Sequence, residues 1–332
     1  MRVLIAALWL VAAAGAAEAA DPADLTIYTY NSFTSEWGPG PAVQKAFEAD
    51  CACKIEYVAV EDGAALLSRL LLEGKNTKAD IVLGLDTNLT AEAAATGLFA
   101  PHGMDLSGLK LPMAWSDPVF VPYDYGYFAF VYDSQKIAAP PTSFEELLNG
   151  PADWQILIQD PRSSTPGLGL LMWVRKLYGD RAPEIWRKLK PRIVTVSKGW
   201  SEAYGLFLNG EAPMVLSYTT SPAYHIIAEN TDRYRAAEFS EGHYMQVEVA
   251  ARTSTSANPE LAAKFLAFMT GPGFQDVIPT TNWMYPVIAP SGGLPEAFAQ
   301  QAVPQPALLY TADEAAAGRK AWIDEWLGAM GN

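Results

Sequence analysis

The segment from residue 25 to residue 84 has the sequence LTIYTYNSFTSEWGPGPAVQKAFEADCACKIEYVAVEDGAALLSRLLLEGKNTKADIVLG, in which short apolar runs alternate with longer segments of helical periodicity. Residues 25–30, 54–60 and 79–84 have the β-branched and aromatic content of strands, whereas residues 41–50 and 64–73 repeat apolar side chains at helical spacing. Strands that alternate with helices in this way are typical of an α/β fold with a largely parallel sheet.

The same alternation resumes beyond residue 120. An aromatic-rich strand is predicted at residues 120–132, and the run at 244–250, whose apolar residues alternate at period two, predicts a second extended strand. We further predict helices at 144–148, 168–178, 183–189, 203–208 and 259–269, and strands at 156–159, 193–196 and 214–217.

These elements predict two α/β lobes that are joined by two crossing strands, with a ligand cleft between the lobes. Lobe 1 would comprise residues 20–126 and 247–332, and lobe 2 residues 127–246. A chain of 332 residues of which 50% are hydrophobic is long enough for two such lobes, each with its own core. Lobes of this kind form a hinged clamshell that can close over a ligand.

The first residues predict export from the cytoplasm. One positive charge at Arg2 is followed by an apolar run and then by the small residues that end in Ala17-Glu18-Ala19, a pattern typical of a cleaved signal peptide over residues 1–19. A permanent membrane anchor is the alternative, but a span needs about 20 apolar residues and this run is shorter. We therefore expect a periplasmic protein without a lipid anchor, since no cysteine lies at the cleavage site.

The charge of the chain limits its partners. The formal net charge is -14, and Arg2 and Glu18 of the signal segment cancel, so the mature chain keeps this value. A strongly acidic surface argues against nucleic acid and anionic lipid as partners and is compatible with a cationic ligand.

The two cysteines, Cys51 and Cys53, form a C-x-C pair. In an oxidising compartment this pair is either a short disulfide or two free thiols, and the sequence leaves both alternatives open. The three histidines, His102, His225 and His243, are scattered along the chain, so we predict no zinc or other metal site.

Aromatic residues recur where predicted strands turn into loops or helices. They are Tyr30, Trp37, Trp200, Tyr218, Tyr224, Trp283 and Tyr285. Such rings can stack on a heteroaromatic ligand and hold a cation over their faces, with roughly 0.5 to 2 kcal/mol per contact. Any single ring is better explained by packing. Their common position at the carboxyl ends of strands, where open α/β sheets bind ligands, favours a binding role for the group.

Two polar segments have both a structural and a functional interpretation. Asp62 directly precedes a helix, so it is either an N-cap or a carboxylate that pairs with a ligand cation. Ser163, Ser164 and Thr165 follow a strand and precede a helix, so they either cap that helix or cradle an anion such as phosphate, with Lys198 as a further phosphate contact.

Motifs of the common enzyme classes are missing from the sequence. It contains no G-x-S-x-G, no H-E-x-x-H, no Walker loop and no G-x-G-x-x-G after a strand. Cys51 and Cys53 precede the start of a strand, whereas catalytic groups in such sheets lie at the far end. We therefore expect a binding protein without cofactor or catalytic residues.

Several of these segments resemble the periplasmic thiamine-binding proteins of bacterial ABC transporters, within the type II periplasmic binding protein group. The matching stretches are residues 28–33, 37–41, 61–63, 79–86, 120–130, 160–169, 198–204, 217–224 and 282–286. They extend over nearly the whole chain after the signal segment.

The resemblance implies thiamine, thiamine monophosphate and thiamine diphosphate as ligands, and the permease of an ABC transporter as partner of a monomer. It implies a site formed by Tyr30, Trp37, Asp62, Gly63, Ser163, Ser164, Thr165, Trp200, Tyr218, Thr219, Thr220, Ser221, Tyr224 and Trp283. Asp62 and Gly63 would contact the aminopyrimidine, and Tyr224 and Trp283 would contact the rings. The hydroxyl residues and Trp200 would lie toward the hydroxyethyl or phosphate end.

Three alternative functions share this architecture. A ferric-ion-binding protein would use adjacent tyrosines, and this chain has no Tyr-Tyr pair. A polyamine-binding protein would use aromatic rings and carboxylates but would gain nothing from the hydroxyl-rich segment at 163–165. A thiaminase-like enzyme would need a cysteine in the cleft.

Overall fold

The computed structural model describes residues 24–331, so the predicted signal peptide lies outside the described residues. The strands are β1 (Leu25–Tyr30), β2 (Ile55–Val60), β3 (Ile81–Asp86), β4 (Val121–Asp133), β5 (Ile156–Gln159), β6 (Ile193–Ser197), β7 (Met214–Tyr218), β8 (Tyr234–Ala236), β9 (His243–Arg252), β10 (Tyr285–Pro286) and β11 (Ala307–Leu308).

The helices follow the strands in alternation through most of the chain. They are α1 (Asn31–Thr34), α2 (Gly40–Cys51), α3 (Gly63–Glu73), α4 (Thr90–Ala95), α5 (Phe144–Asn149), α6 (Thr165–Tyr178), α7 (Ala182–Leu189), α8 (Trp200–Leu208), α9 (Pro222–Ala228), α10 (Pro259–Met269), α11 (Pro272–Gln275), α12 (Ile278–Thr281), α13 (Glu296–Ala299) and α14 (Ala312–Met330). Every helix and strand predicted from the sequence is present, with bounds that differ by a few residues.

The strands form one curled sheet in the order β2-β1-β3-β9-β4-β7-β5-β6. Strand β1 pairs in parallel with β2 and β3 at one end, and β5 pairs in parallel with β6 and β7 at the other. In the middle, β9 is antiparallel to both β3 and β4. The expectation of a largely parallel sheet is thus confirmed at both ends, and the two crossing strands β4 and β9 run antiparallel to each other between the halves.

We call β1–β3 with α1–α4 the first half, and β5–β8 with α5–α9 the second half. Strand β4 extends through both halves. It pairs with β9 as far as Tyr127 and with β7 from Phe128 onward. The lobe boundaries at 126/127 and 246/247 stay predictions. The change of pairing partner in β4, between Tyr127 and Phe128, lies one residue from the first of them.

Helix α14 is the main element that the sequence analysis missed. It packs against α4 of the first half and against α6 and α7 of the second half. Arg319 pairs with Glu92 at 3.0 Å and Glu325 pairs with Arg175 at 3.1 Å, so the helix ties the two halves together. A capping box at Thr311 and Glu314 begins the helix and was the signal that could have revealed it.

Aromatic side chains fill the cores of both halves. Phe33 and Phe47 are fully buried in the first half, and Phe144 and Trp173 are fully buried in the second. The Phe144 and Trp173 rings meet edge to face with centroids 4.8 Å apart. Burial of each such side chain contributes roughly 1.5 to 3 kcal/mol, so local apolar periodicity is sufficient to place these elements against their sheet.

Cys51 and Cys53 are joined by a disulfide at the carboxyl end of α2. The structure thereby decides between the two alternatives that the sequence left open.

Among residues 24–331, no helix is both long and apolar enough to cross a membrane, and no group of three or more His, Cys, Asp or Glu side chains is placed to hold a metal ion.

Asp86, at the end of β3, gives the stability of the ligand-free protein a dependence on pH. It is fully buried, and its Oδ2 has no hydrogen-bond partner. Burial raises the pKa of this carboxyl from 3.8 to about 7. Between those two values the folded protein keeps a proton that the unfolded chain has lost, so stability falls as pH rises through this window, at about 1.4 kcal/mol per pH unit.

We therefore expect Asp86→Asn to raise the free energy of unfolding at pH 8 by about 2 to 4 kcal/mol, because the amide has the shape of the neutral acid without its ionisation. At pH 4 the variant and the parent should differ little. Urea unfolding at both pH values measures the two differences. Equal changes at pH 4 and pH 8 would mean that packing, not ionisation, distinguishes the side chains.

Candidate ligand-binding site

A cavity of about 280 Å³ lies between the two halves. Most of the predicted site residues line it: Tyr30, Trp37, Asp62, Thr165, Trp200, Tyr218, Ser221, Tyr224 and Trp283. Several of these residues stand at element ends, such as Tyr30 at the end of β1, Trp200 at the start of α8 and Tyr218 at the end of β7. The volume is near the lower end of the range for small-molecule sites, about 300 to 1,000 Å³.

One wall of the cavity is a series of aromatic rings. Trp200 stacks on Tyr204 with centroids 4.8 Å apart and an interplanar angle of 25°, and Trp37 tilts toward Trp200 at 6.1 Å. The Trp200 indole Nε1 donates to Ser217 Oγ at 2.8 Å, which holds the ring in place. Trp37 is 50% exposed and lies at the mouth, where a flat ligand could cover it.

Tyr224 and Trp283 form a second aromatic contact, edge to face with centroids 5.3 Å apart. Trp283 has a φ of 57°, in the left-handed region that residues other than glycine rarely adopt. Its N–H donates to Ile278 O at 3.0 Å and closes the end of α12. Backbone strain of this kind costs on the order of 1 to 3 kcal/mol and clusters at functional sites. The strained turn presents the Trp283 ring to the cavity.

Tyr30 reaches the cavity because Gly84 leaves room for its ring. Gly84 has a φ of 109°, and a Cβ at this position would overlap Tyr30 Cδ1. The tyrosine hydroxyl donates to Glu248 Oε2 at 3.0 Å. Strand β3 therefore needs a glycine here for two reasons, the backbone conformation and the neighbouring ring.

Asp62 occupies the N-cap position of α3, but its side chain makes no capping hydrogen bond. Instead, Oδ2 accepts from Ser164 Oγ at 2.7 Å and from the Trp200 N–H at 3.1 Å, both in the second half. The capping interpretation is therefore wrong, because the carboxyl turns across the cleft. Burial raises its pKa to about 7, assisted by Glu248 and Glu61 and opposed by the two donors.

Two of the three hydroxyls of the predicted anion cradle donate to the protein itself. Ser163 Oγ donates to Lys198 O at 2.6 Å, and Ser164 Oγ donates to Asp62. Thr165 Oγ1 accepts from the Gly63 N–H at 3.2 Å. The hydroxyls of Ser164 and Thr165 thus join the two halves across the cleft, and Lys198 is exposed and does not line the cavity.

Gly63 allows the two halves to approach each other closely. It is not part of the cavity wall. A Cβ there would lie 2.7 Å from Thr165 Oγ1 and 2.5 Å from Gly84 O. Thr219 and Thr220 are fully buried and also lie outside the wall, whereas Ser221 Oγ bonds Ser217 Oγ at 2.7 Å and lines the cavity. Gly63, Thr219 and Thr220 therefore lie outside the lining, and each is next in the chain to a lining residue.

Glu248 and Asn282 are polar residues of the wall that the sequence analysis missed. Glu248 Oε2 accepts from Tyr30 OH at 3.0 Å and from Tyr123 OH at 2.9 Å, and Asn282 Nδ2 lies 3.3 Å away. The period-two alternation at 244–250 predicts an extended strand, and β9 is buried on both faces. A lone carboxyl in such a strand was the signal that could have revealed Glu248.

Other lining residues that the predicted site did not include are Ser32, Pro166, Ser201, Tyr204, Gly205, Leu208 and Met284. Among the described residues, the wall contains two carboxyl groups, Asp62 and Glu248, and no Lys, Arg or His side chain. An aromatic enclosure of this polarity favours a flat ligand that carries positive charge.

Comparisons with known proteins agree with the fold. The bacterial extracellular solute-binding protein family matches residues 35–276. The chain is 60% identical over 306 residues to a thiamine-binding periplasmic protein of Salmonella typhimurium, which covers 92% of this chain and 93% of the relative. It is 58% identical over 321 residues to one of Brucella abortus, with 96% of each chain covered. A solved structure of a periplasmic thiamin binding protein superimposes with a TM-score of 0.90 at 59% identity, over 92% of this chain and 96% of the other.

Proposed function

Because the chain belongs to the bacterial extracellular solute-binding protein family, we propose that it captures thiamine in the cavity between its halves and delivers the vitamin to a membrane permease. Members of this family bind and carry solutes and are not enzymes. The observation that carries the choice of ligand is the cavity wall, which combines aromatic rings with two carboxyl groups and no basic side chain.

Thiamine has the chemistry that such a wall recognises. It consists of an aminopyrimidine and a permanently cationic thiazolium, so both parts can stack on aromatic rings and the cation gains from nearby carboxylates. We propose that the Asp62 carboxyl accepts from the amino group of the pyrimidine, and that Trp283 and Tyr224 contact the rings. Relatives at 58 to 60% identity that are named for thiamine binding support this choice.

For thiamine monophosphate and diphosphate we propose that the phosphate lies at the open mouth of the cavity. The hydroxyls of Ser163 and Ser164 already donate to Lys198 O and to Asp62, whereas Thr165 Oγ1 only accepts, from the Gly63 N–H. The three residues therefore offer a phosphate the Thr165 hydroxyl donor alone and not a complete anion cradle. Ser32 and Ser201 line the cavity and keep some exposure to solvent. A phosphate there would stay hydrated and would contribute little to affinity.

The thiaminase-like and polyamine-binding alternatives fit the cavity less well. The only two cysteines of the chain are joined in a disulfide and neither lines the cavity, so a thiaminase-like mechanism would have no nucleophile. A polyamine can contact the rings through its ammonium groups, but it has no planar ring system to stack on them. We further propose that the signal peptide at residues 1–19 directs export to the periplasm, where the monomer meets the permease of an ABC transporter.

Isothermal titration calorimetry of residues 20–332 tests the proposal. Thiamine and its mono- and diphosphate should bind at one site with a dissociation constant below about 1 μM, which corresponds to about 8 kcal/mol. Spermidine and ferric citrate serve as controls and should give no comparable heat. Binding of spermidine or ferric citrate without binding of thiamine would contradict the ligand and leave the family unaffected.

A further inference from the structure

We propose that Glu248 is the ionised carboxylate of the cavity wall and selects ligands that carry a positive charge. The inference rests on the proposed function, since it assigns a specificity-determining residue within the same cavity. Glu248 lies in β9, is 5% exposed and lines the cavity beside Tyr30.

Glu248 shares its environment with two other buried carboxyls. Asp124 of β4 and Asp86 of β3 are its direct cross-strand partners on either side, so the three side chains emerge beside each other. Among the described residues, Asp86 has one donor, the Asn88 N–H, and burial and the charge of Glu248 raise its pKa to about 7. Asp124 is fully buried and does not line the cavity. Two carboxyl groups this close in a dry environment cannot both ionise, because like charges repel strongly there. The pair therefore keeps one proton, and its location decides which residue carries the charge.

The hydrogen bonds place the proton on Asp124. Glu248 Oε2 accepts from the hydroxyls of Tyr30 and Tyr123, at 3.0 and 2.9 Å, and has the Asn282 amide at 3.3 Å. Asp124 Oδ2 accepts from the Asn282 amide at 2.6 Å, and Asp124 Oδ1 has no partner among the described residues. A hydrogen bond between the two carboxyls raises the pKa of Asp124 and lowers that of Glu248, as expected when Asp124 holds the proton and donates it. Converging donors stabilise an anion, so the negative charge resides on Glu248.

The pKa directions of the pair agree with this assignment. Burial raises the pKa of both carboxyls. Hydrogen bonds from Tyr123 and Tyr30 oppose this rise at Glu248, whereas the charge of Glu248 raises the pKa of Asp124 further. No Lys, Arg or His side chain among the described residues lines the cavity to neutralise Glu248. A cationic ligand is the partner that this charge lacks.

A matched pair of ligands and a matched pair of variants test the inference. The ligands are 5-(2-hydroxyethyl)-4-methylthiazole, which is neutral, and its N-methyl thiazolium, which differs by one methyl group and a charge. Both compete with labelled thiamine. Glu248→Gln keeps the shape and one acceptor for the tyrosines, and Asp124→Asn keeps the shape of a neutral acid. Thermal melting shows whether each variant is folded.

Glu248→Gln should weaken binding of thiamine and of the thiazolium roughly 10- to 30-fold, and binding of the neutral thiazole less than about 3-fold, as expected for a lost charge–charge attraction. Asp124→Asn should change none of them by more than about 3-fold, because it replaces a carboxyl that is already neutral. A larger loss in Asp124→Asn, or equal losses for charged and neutral ligands, would overturn the assignment.

The outcome also separates this inference from the function on which it rests. A parent protein that binds thiamine while Glu248→Gln retains full affinity overturns the role of Glu248 and leaves the function standing. A parent protein that binds no thiamine overturns the proposed function and the inference together.

Discussion

Replacing Asp62 with alanine should weaken thiamine binding by roughly 10³-fold, or about 4 kcal/mol. Its carboxyl is 5% exposed, lines the cavity and accepts two hydrogen bonds from the second half. The substitution removes the acceptor for the amino group of the ligand. It also leaves the Ser164 hydroxyl and the Trp200 N–H without a partner when the halves are closed. Loss of both interactions explains why the effect should be large.

The neighbouring Glu61 provides the matched control. It is an exposed carboxylate one residue away that does not line the cavity. Glu61→Ala should change the dissociation constant less than about 3-fold, as is usual for a screened surface charge. Asp62→Asn keeps the shape and an acceptor for Ser164, so its loss should fall between the two. Calorimetry of the three variants gives the order, and an Asp62→Ala protein that binds within 3-fold of the parent would exclude this carboxyl as a ligand contact.

The second large effect is expected for Trp283→Ala, which should weaken thiamine binding roughly 100-fold, or about 2.7 kcal/mol. The ring lines the cavity and meets Tyr224 edge to face at 5.3 Å. Alanine loses the stacking surface and the cation–π contact and also lets water into the cavity. Because tryptophan already adopts the φ of 57°, alanine adds no new backbone strain.

Trp283→Phe and Trp322→Phe are the controls for this substitution. Phenylalanine at 283 retains a ring and should recover most of the affinity, to within about 10-fold of the parent, because stacking depends on ring area. Trp322 lies in α14 against Tyr310 and does not line the cavity, so its replacement should leave binding unchanged. If Trp283→Ala and Trp322→Phe reduced the affinity equally, the Trp283 effect would be one of stability and not of contact.

Several parts of the site could be predicted because they depend on local rules. Tyr30, Trp200 and Tyr218 stand at strand or helix ends on the side where open α/β sheets bind ligands, so their position followed from the order of elements. The aromatic wall was predicted for this reason. Glu248 was not predicted as a site residue, because a single carboxyl in an apolar run has no periodicity of its own.

The hydrogen bonds that each polar side chain of the site forms depend on partners that are distant in sequence. Asp62 was interpreted as a helix cap from its neighbours, yet its partners Ser164 and Trp200 are 102 and 138 residues away. Ser164 and Thr165 matched the pattern of an anion cradle, yet they bond the first half. Sequence spacing has no information about which groups meet across the cleft.

The sequence by itself determined the alternation of strands and helices, the two-lobe α/β fold class, the aromatic residues at the ends of elements and the acidic character of this protein. These properties depend on apolar periodicity and composition, which act within one element and need no knowledge of the others. The tertiary structure alone decided the Cys51–Cys53 bond, the contacts of Asp62 across the cleft and the pairing of Asp124 with Glu248. Each of these depends on distances between atoms, and only the folded chain brings such atoms together.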